Sequence, residues 1–179
     1  MHIKFFTLSL CLFITHIHLA QEREYMVTNN KDTIYGSIKR SFNLFDKENI
    51  GFKIEDATGK KTKIEISEVK SLKLYNGADG DSYIVTIYDT WYLKRIVEGE
   101  IEVFEMLSTP LFYVSKNGSE LEFIDMGMPF ARKKAHAQLR AYIKDDPELL
   151  EEFDSMQGTE KNILYIIKKY NSLKEYKVN

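Results

Sequence analysis

Residues 83–106, YIVTIYDTWYLKRIVEGEIEVFEM, determine the antiparallel sheet that is predicted for this chain. β-branched and aromatic residues dominate it, and its breaks are Asp89-Thr90 and Glu98-Gly99. The stretch therefore predicts three consecutive antiparallel strands.

The first of these strands is apolar in both alternating sets of side chains. Ile84 and Tyr88 belong to one set, and Tyr83, Val85 and Ile87 belong to the other. Because successive side chains of a strand point to opposite faces, this pattern indicates a strand in the middle of a sheet, covered on both sides. We expect the C-terminal helices to supply the second cover.

Further strands are predicted on both sides of this stretch. Two hairpins are expected within residues 24–40 and 49–67, with Gly36 marking a bulge or a close backbone approach, and a strand follows from Val69 to Tyr75. Downstream, Asn117-Gly118 separates two alternating runs and is the strongest short-range hairpin signal in the chain. In all, about ten strands are expected in a meander that forms a curved or barrel-like sheet.

The composition changes to helical patterns after Pro129. Apolar residues recur at helical spacing through Lys144, Asp146-Pro147 is a capping pair for a second helix, and Thr159 caps a third that Asn171 is expected to end. The predicted fold is α+β, an antiparallel β-meander with three C-terminal helices packed on it. The expected division is a signal peptide in residues 1–20, a β domain in 21–126 and a helical segment in 127–179.

The N-terminus has the layout of a secretory signal peptide. Lys4 precedes a mostly apolar run from Phe5 to Ile14, which is too short to span a bilayer, and Ala20 is the expected cleavage position. A lipoprotein is the alternative because Cys11 is the only cysteine, although Leu10 stands where a small residue is usual. The expected location is periplasmic, outer-membrane-associated or secreted.

The charge balance is slightly acidic, with 25 Lys and Arg, 27 Asp and Glu, and a net charge of −2. Basic blocks are lacking, so nucleic acid is not expected as a partner. No later apolar run approaches the length of a transmembrane helix, so none is expected once the signal is removed. A mature chain without Cys11 would contain no disulfide.

Several titratable residues were weighed as catalytic or metal-binding groups. His136 is the only histidine after the signal segment, and it has no partner ligand at helical spacing. Glu100 and Glu102 are two apart on a strand, a spacing that places both carboxylates on one face, which we expect to be solvated. Asn76, Asp79 and Asp81 match part of a calcium loop but lack its closing glutamate. No catalytic residue, metal or cofactor is predicted.

Aromatic residues of the central strands are the candidate ligand-binding groups. They are suited to stacking on a sugar or a peptide, and they are equally suited to filling a core. The possible groove consists of Tyr88, Trp91, Tyr92, Phe104 and Tyr113.

Three segments together resemble small secreted proteins of unknown function from Bacteroidota. They are residues 31–38 (KDTIYGSI), residues 98–105 (EGEIEVFE) and the helical end from residues 142–149 (YIKDDPEL) to Tyr170-Asn171. Such proteins often carry a cysteine before the proline of the second helix, where this chain has Asp146. The resemblance implies a location outside the cytoplasm and a similar fold, and it implies no activity.

Three hypotheses about function follow. The first is a non-enzymatic protein outside the cytoplasm that acts through its surface in binding or assembly at the cell envelope, with an unknown protein or envelope partner. The second is a carrier that holds an apolar or glycan ligand between sheet and helices. The third is a hydrolase that uses carboxylates such as Glu100 and Glu102.

Overall fold

Eleven strands and three α-helices build the part of the chain that the computed structural model describes, residues 23–41, 50–77, 80–126 and 129–178. The predicted signal peptide lies outside these residues. The strands are β1 (Tyr25–Thr28), β2 (Thr33–Tyr35), β3 (Ser37–Ser41), β4 (Gly51–Glu55), β5 (Lys61–Ile64), β6 (Val69–Gly77), β7 (Gly80–Ile87), β8 (Trp91–Val97), β9 (Ile101–Met106), β10 (Phe112–Lys116) and β11 (Glu122–Ile124). The helices are α1 (Pro129–Ile143), α2 (Pro147–Asp154) and α3 (Glu160–Val178).

The strands form two antiparallel sheets. The large sheet has eight strands in the order β11-β10-β9-β8-β7-β6-β1-β2, and the small sheet has three in the order β3-β4-β5. The run from β6 to β11 is the predicted meander, while the β1–β2 hairpin extends the sheet beyond β6. The predicted α+β fold is confirmed, and the large sheet is open rather than closed into a barrel.

Two glycine positions behave as the sequence predicts. Asn117 and Gly118 have φ angles of 54° and 71°, which are the positive values that a tight hairpin turn requires. A Cβ atom added to Gly36 would lie 2.6 Å from the carbonyl oxygen of Glu55. Gly36 therefore permits the close backbone approach at the point where the chain passes from β2 in the large sheet to β3 in the small sheet.

The helices pack on one face of strands β8 to β11. Ile101 and Val103 of β9 and Val114 of β10 lie in one buried cluster with side chains from all three helices. The helical members are Ala135, Leu139, Ile143, Leu149, Phe153, Ile163, Ile166, Ile167 and Tyr170. The packing of the helices on the sheet is therefore as expected.

The small sheet covers the remaining part of the same face. Leu72 of β6 and Ile84 of β7 lie in a second buried cluster with Ile38, Phe52 and Ile64 of the small sheet. The expectation that the helices cover the strand beginning at Tyr83 was therefore wrong. The helices follow β11 and pack on the strands next to it, whereas β3 to β5 lie over β6 and β7.

Helix α3 does not end at Asn171 as predicted, but continues to Val178. The Asn171 side chain is buried inside the helix–sheet interface. Its Oδ1 accepts the backbone N–H of Ile101 at 2.9 Å, and its Nδ2 donates to the carbonyl oxygens of Ile101 at 2.8 Å and Glu98 at 3.0 Å. Asn171 thus joins α3 to the start of β9.

Candidate functional site

The face of the large sheet opposite the helices and the small sheet carries a third apolar cluster. Its buried members are Leu93 of β8, Phe104 and Met106 of β9, and Tyr113 of β10. The partly buried side chains packed against it come from β7 and from Leu121. Among the described residues, no helix and no strand of the small sheet contributes to this cluster, so the sheet itself provides it. We call this side of the large sheet the open face.

Exposed apolar side chains surround this cluster. Trp91 pairs with Ile87 across β8 and β7, and Phe123 pairs with Tyr113 across β11 and β10 with their rings 5.7 Å apart. Both are exposed, as is Leu111, which lies two residues before Tyr113. Because residues two apart on a strand share a face, these positions belong to the open face. Together with Tyr88 and the four buried members, they form the open-face patch.

Tyr88 lies in an unusual backbone conformation at the rim of this patch. Tyr88 and Asp89 both have positive φ angles, 54° and 51°, and the Thr90 N–H donates to the Ile87 carbonyl at 3.2 Å. This geometry suits Asn-Gly and costs an aromatic residue about 1–2 kcal/mol. The side chain is nevertheless 75% exposed. The positive φ angles are those of the tight turn that joins β7 to β8, and this turn leaves the Tyr88 side chain in solvent.

Tyr88 also lies close to the buried part of the patch. Burial raises the pKa of Tyr113, and the nearby Tyr88 raises it further. Tyr113 therefore stays protonated at physiological pH. The open-face patch presents neutral aromatic and aliphatic groups.

The two glutamates considered as an acid and base pair are not brought together. Glu102 bonds to Arg95 at 2.7 Å, and Arg95 stacks over the ring of Tyr83 at 4.5 Å. Glu100 instead accepts the Tyr170 hydroxyl of α3 at 2.8 Å. The expectation that they share one solvated face was wrong, because β9 begins only at Ile101 and strand alternation does not extend back to Glu100.

A charged cluster lies where α1, α3 and β10 meet. The carboxylate of Asp145 bonds to Lys116 at 3.0 Å, to Lys174 at 2.5 Å and to the Tyr170 hydroxyl at 2.9 Å. Burial opposes the charge on Asp145, but the hydrogen bonds from Lys174, Lys116 and Tyr170 outweigh it and hold the pKa of Asp145 well below its usual range. Burial, followed by the bonds to Glu100 and Asp145, raises the pKa of Tyr170, so its hydroxyl remains a donor.

Asp145→Asn is expected to reduce the pH dependence of stability in acid. The lowered pKa of Asp145 means that the folded chain binds this proton less readily than the unfolded chain. Its stabilising effect is therefore present above about pH 4 and is lost as the pH falls below that value. Urea unfolding should show the variant less stable than the wild type at pH 7, with a smaller difference at pH 3.

Asp154→Asn is the matched control, because Asp154 forms an exposed ion pair with Arg140 at 2.9 Å. Exposed pairs contribute little, so this variant should lose much less stability at pH 7. If the free energies of unfolding of the wild type and Asp145→Asn differed by the same amount at pH 3 and pH 7, the lowered pKa of Asp145 would be contradicted.

The other sequence candidates have different surroundings. Tyr92 lies on the opposite face from the patch, buried with its ring 4.8 Å from that of Phe52. His136 stacks on Phe153 at 3.9 Å, and its Nε2 lies 3.0 Å from the Phe153 carbonyl oxygen. Asp79 lies outside the described residues. Within those residues, no group of three or more His, Cys, Asp or Glu side chains is placed to hold a metal ion.

The cavity beside Trp91 is small. It measures about 80 Å³ and is lined in part by Tyr92, Leu107 and Ser108. Sites for drug-sized ligands occupy about 300–1,000 Å³. The space between the sheet and the helices is filled by the buried side chains of all three helices. The structure therefore brings Tyr88, Trp91, Phe104 and Tyr113 together on a surface rather than in a ligand chamber.

Four members of the patch were missed by sequence reasoning, namely Leu93, Met106, Leu111 and Phe123. Leu93 and Met106 share the strand parity of Trp91 and Phe104, so alternation would have found them. Phe123 had no such signal, since its face depends on the exact register of the last hairpin. Leu111 directly precedes β10 and shares the parity of Tyr113, and its carbonyl oxygen accepts the Met106 N–H at 2.9 Å, so alternation would have found it as well.

Comparison with protein-family models, with curated proteins and with solved structures gave no match for this chain. None of the helices in the described ranges has the length and hydropathy needed to cross a bilayer.

Proposed function

We propose that this chain is an exported, non-enzymatic protein that binds a protein partner at the cell envelope through its open-face patch. The observation that carries the proposal is the set of exposed apolar side chains around the buried cluster of the open face, namely Tyr88, Trp91, Leu111 and Phe123. Contiguous exposed apolar patches on soluble proteins mark interaction sites. The N-terminal pattern and the resemblance to secreted proteins support export.

A protein partner suits the chemistry of this patch. Its exposed members include Tyr88, Trp91 and Phe123, and tyrosine and tryptophan are common among residues that dominate binding energy at protein interfaces. Arg95, held by Glu98 and Glu102, places charged groups beside the apolar centre. An apolar centre with a polar margin is the usual arrangement of a protein interface.

The carrier and hydrolase alternatives have less support. A carrier between sheet and helices needs a chamber, and that region is occupied by side chains such as Leu139, Phe153 and Ile166. A hydrolase of the proposed kind needs two carboxylates at one substrate, whereas Glu100 and Glu102 bond to different partners. Surface binding is the function that the geometry supports best.

Photo-crosslinking in the native host tests the patch. With a benzophenone amino acid in place of Trp91, we expect one protein adduct in the envelope fraction. The same residue in place of Tyr165, an exposed aromatic on α3, is the matched control and should not give that adduct. Adding Tyr88→Ser and Phe123→Ser should reduce the Trp91 adduct about tenfold, which corresponds to about 1.4 kcal/mol.

Two results would contradict the proposal. One is the same adducts from positions 91 and 165, and the other is a Trp91 adduct that persists undiminished in the folded double variant. Export has its own test, since the native mature protein should begin near residue 21. A protein that keeps residues 1–20 and stays in the cytoplasm would refute export.

A further inference from the structure

We propose that the edge strand β2 adds an extended segment of a partner protein to the large sheet, with a basic side chain of that segment in an acidic cavity at the end of the strand. This site is separate from the open-face patch and does not depend on it. Four features of the structure support it. They are the backbone groups of β2, the side chains of the edge strands, the two cavities beside β2 and the charges that line the larger cavity.

The backbone of β2 has outward-facing polar groups. The Thr28 N–H donates to the Asp32 carbonyl at 2.9 Å, and the Gly36 N–H donates to the Glu24 carbonyl at 3.2 Å. Because bonded and non-bonded pairs alternate along an antiparallel ladder, the N–H and C=O groups of Thr33 and Tyr35 point away from β1. Among the described strands, β1 is the one neighbour of β2. These groups are therefore available to an added strand.

The side chains of β2 do not protect this edge. Natural proteins often place charged residues, above all lysine, on edge strands to prevent pairing with other chains. Lys61 and Lys63 lie on the edge strand β5, and Lys39 lies on the edge strand β3. By contrast, β2 is Thr-Ile-Tyr, with Ile34 42% and Tyr35 57% exposed.

Two cavities lie beside β2. One of about 260 Å³ opens between the two sheets. Its apolar lining is Ile34, Met26, Ile54, Ile64 and Val69, and charged side chains including Lys60, Lys63, Glu65 and Glu68 complete it. The other, of about 500 Å³, lies at the end of the strand and is lined by Tyr35 among others. Asp56 lines both cavities. The two cavities therefore adjoin, and an extended peptide added at β2 can place one side chain under Ile34 and another beyond the end of the strand.

The charges around the larger cavity select the occupant. Its lining includes Glu24, Glu55 and Asp56 as well as Arg23. Glu55 is already paired with Lys39 at 3.4 Å and with Lys61 at 3.8 Å, so the remaining negative charge lies at Glu24 and Asp56. Glu24 is fixed by accepting the backbone N–H groups of Ile38 and Tyr75. A lysine or arginine of the peptide complements this charge, while an apolar residue suits the cavity under Ile34. The expected partner segment is therefore extended, with alternating apolar and basic residues.

A short capped peptide in which valine and lysine alternate is the probe. We expect the full chain to bind it, with slower amide hydrogen exchange at Thr33 and Tyr35 in the complex. The same peptide N-methylated at every second residue lacks the backbone donors and should bind at least about tenfold more weakly. A peptide with glutamate in place of lysine should also bind at least about tenfold more weakly.

Protein variants separate this site from others. Ile34→Lys adds the kind of charge that protects edges and should weaken peptide binding at least about tenfold, whereas Ala141→Lys on the exposed side of α1 should leave it unchanged. The double variant Tyr88→Ser, Phe123→Ser should still bind the peptide, because the open-face patch is a different surface. Circular dichroism checks that each variant is folded.

Any of three results would overturn the β2 site. They are no detectable binding of the valine and lysine peptide, equal binding of its N-methylated form, and undiminished binding by folded Ile34→Lys. Loss of binding in the patch double variant alone would assign the peptide to the open face instead, which also overturns the β2 site.

Discussion

A chain truncated after Asp125 is expected to lose its near-ultraviolet circular dichroism signal and its cooperative unfolding transition. The truncation removes every helical side chain that covers Ile101, Val103, Phe112, Val114 and Ile124. Exposing one large aliphatic side chain costs about 1.5–3 kcal/mol, and whole domains are stable by only about 5–15 kcal/mol. The loss at this face therefore exceeds the stability of the molecule.

A truncation after Glu175 is the control for this experiment. It retains α1, α2 and most of α3, including Tyr170, Asn171 and Lys174. This shorter deletion should keep the tertiary signal and a cooperative transition. If the chain ending at Asp125 also unfolded cooperatively with a native tertiary signal, the helices would not be needed to complete the core.

Asn171→Ala is expected to lower the free energy of unfolding by about 3 kcal/mol. The substitution leaves the Ile101 N–H and the carbonyl oxygens of Glu98 and Ile101 without their partner in a buried interface. Each unsatisfied buried group costs about 1–3 kcal/mol, and the groups that gain water on relaxation cost less. Urea denaturation at neutral pH measures the loss.

Asn162→Ala makes the same chemical change near the start of the same helix. Its side chain donates to the Gln157 carbonyl oxygen at 2.9 Å in an exposed setting, where water replaces the lost bond. We expect a loss of about 0.5–1 kcal/mol. Equal losses in the two variants would show that the contacts of Asn171 with β9 contribute no more to stability than the exposed hydrogen bond of Asn162.

Local signals predicted much of this architecture. Asn117-Gly118 adopts the positive φ angles expected of a hairpin turn, and Asp146 accepts the Leu149 N–H at 3.2 Å as the cap of α2. Thr159 likewise accepts the Asn162 N–H at the start of α3. These features depend on residues close together in sequence, so composition and spacing were enough to find them.

Contacts between distant residues were not predicted. Asparagine commonly ends a helix, and nothing near Asn171 in sequence shows that its side chain meets Ile101. The cover of Ile84 was also assigned to the wrong element, because apolar spacing shows that a strand is buried without showing what buries it. Such partners are set by topology.

The aromatic candidates show how register limits sequence reasoning. A plain turn at Asn117-Gly118 would pair Phe123 with Phe112, on the helix side of the sheet. The actual register pairs Phe123 with Tyr113, on the open face. A shift of one residue moves a strand's side chains to the other face, so Phe123 was missed. Tyr92 was wrongly grouped with Trp91 and Phe104 for a different reason, since Tyr92 follows Trp91 directly in β8 and alternation points the two to opposite faces.

The position of α3 in the chain also affects how the protein is made. Ribosomes synthesise β11 well before Ile166 and Tyr170, whose side chains complete the core beneath β9. Throughout that interval the nascent chain exposes apolar surface on both faces of its sheet. Incomplete chains that expose such surface are prone to aggregate. The core can therefore be completed only after synthesis has passed Tyr170 and Asn171.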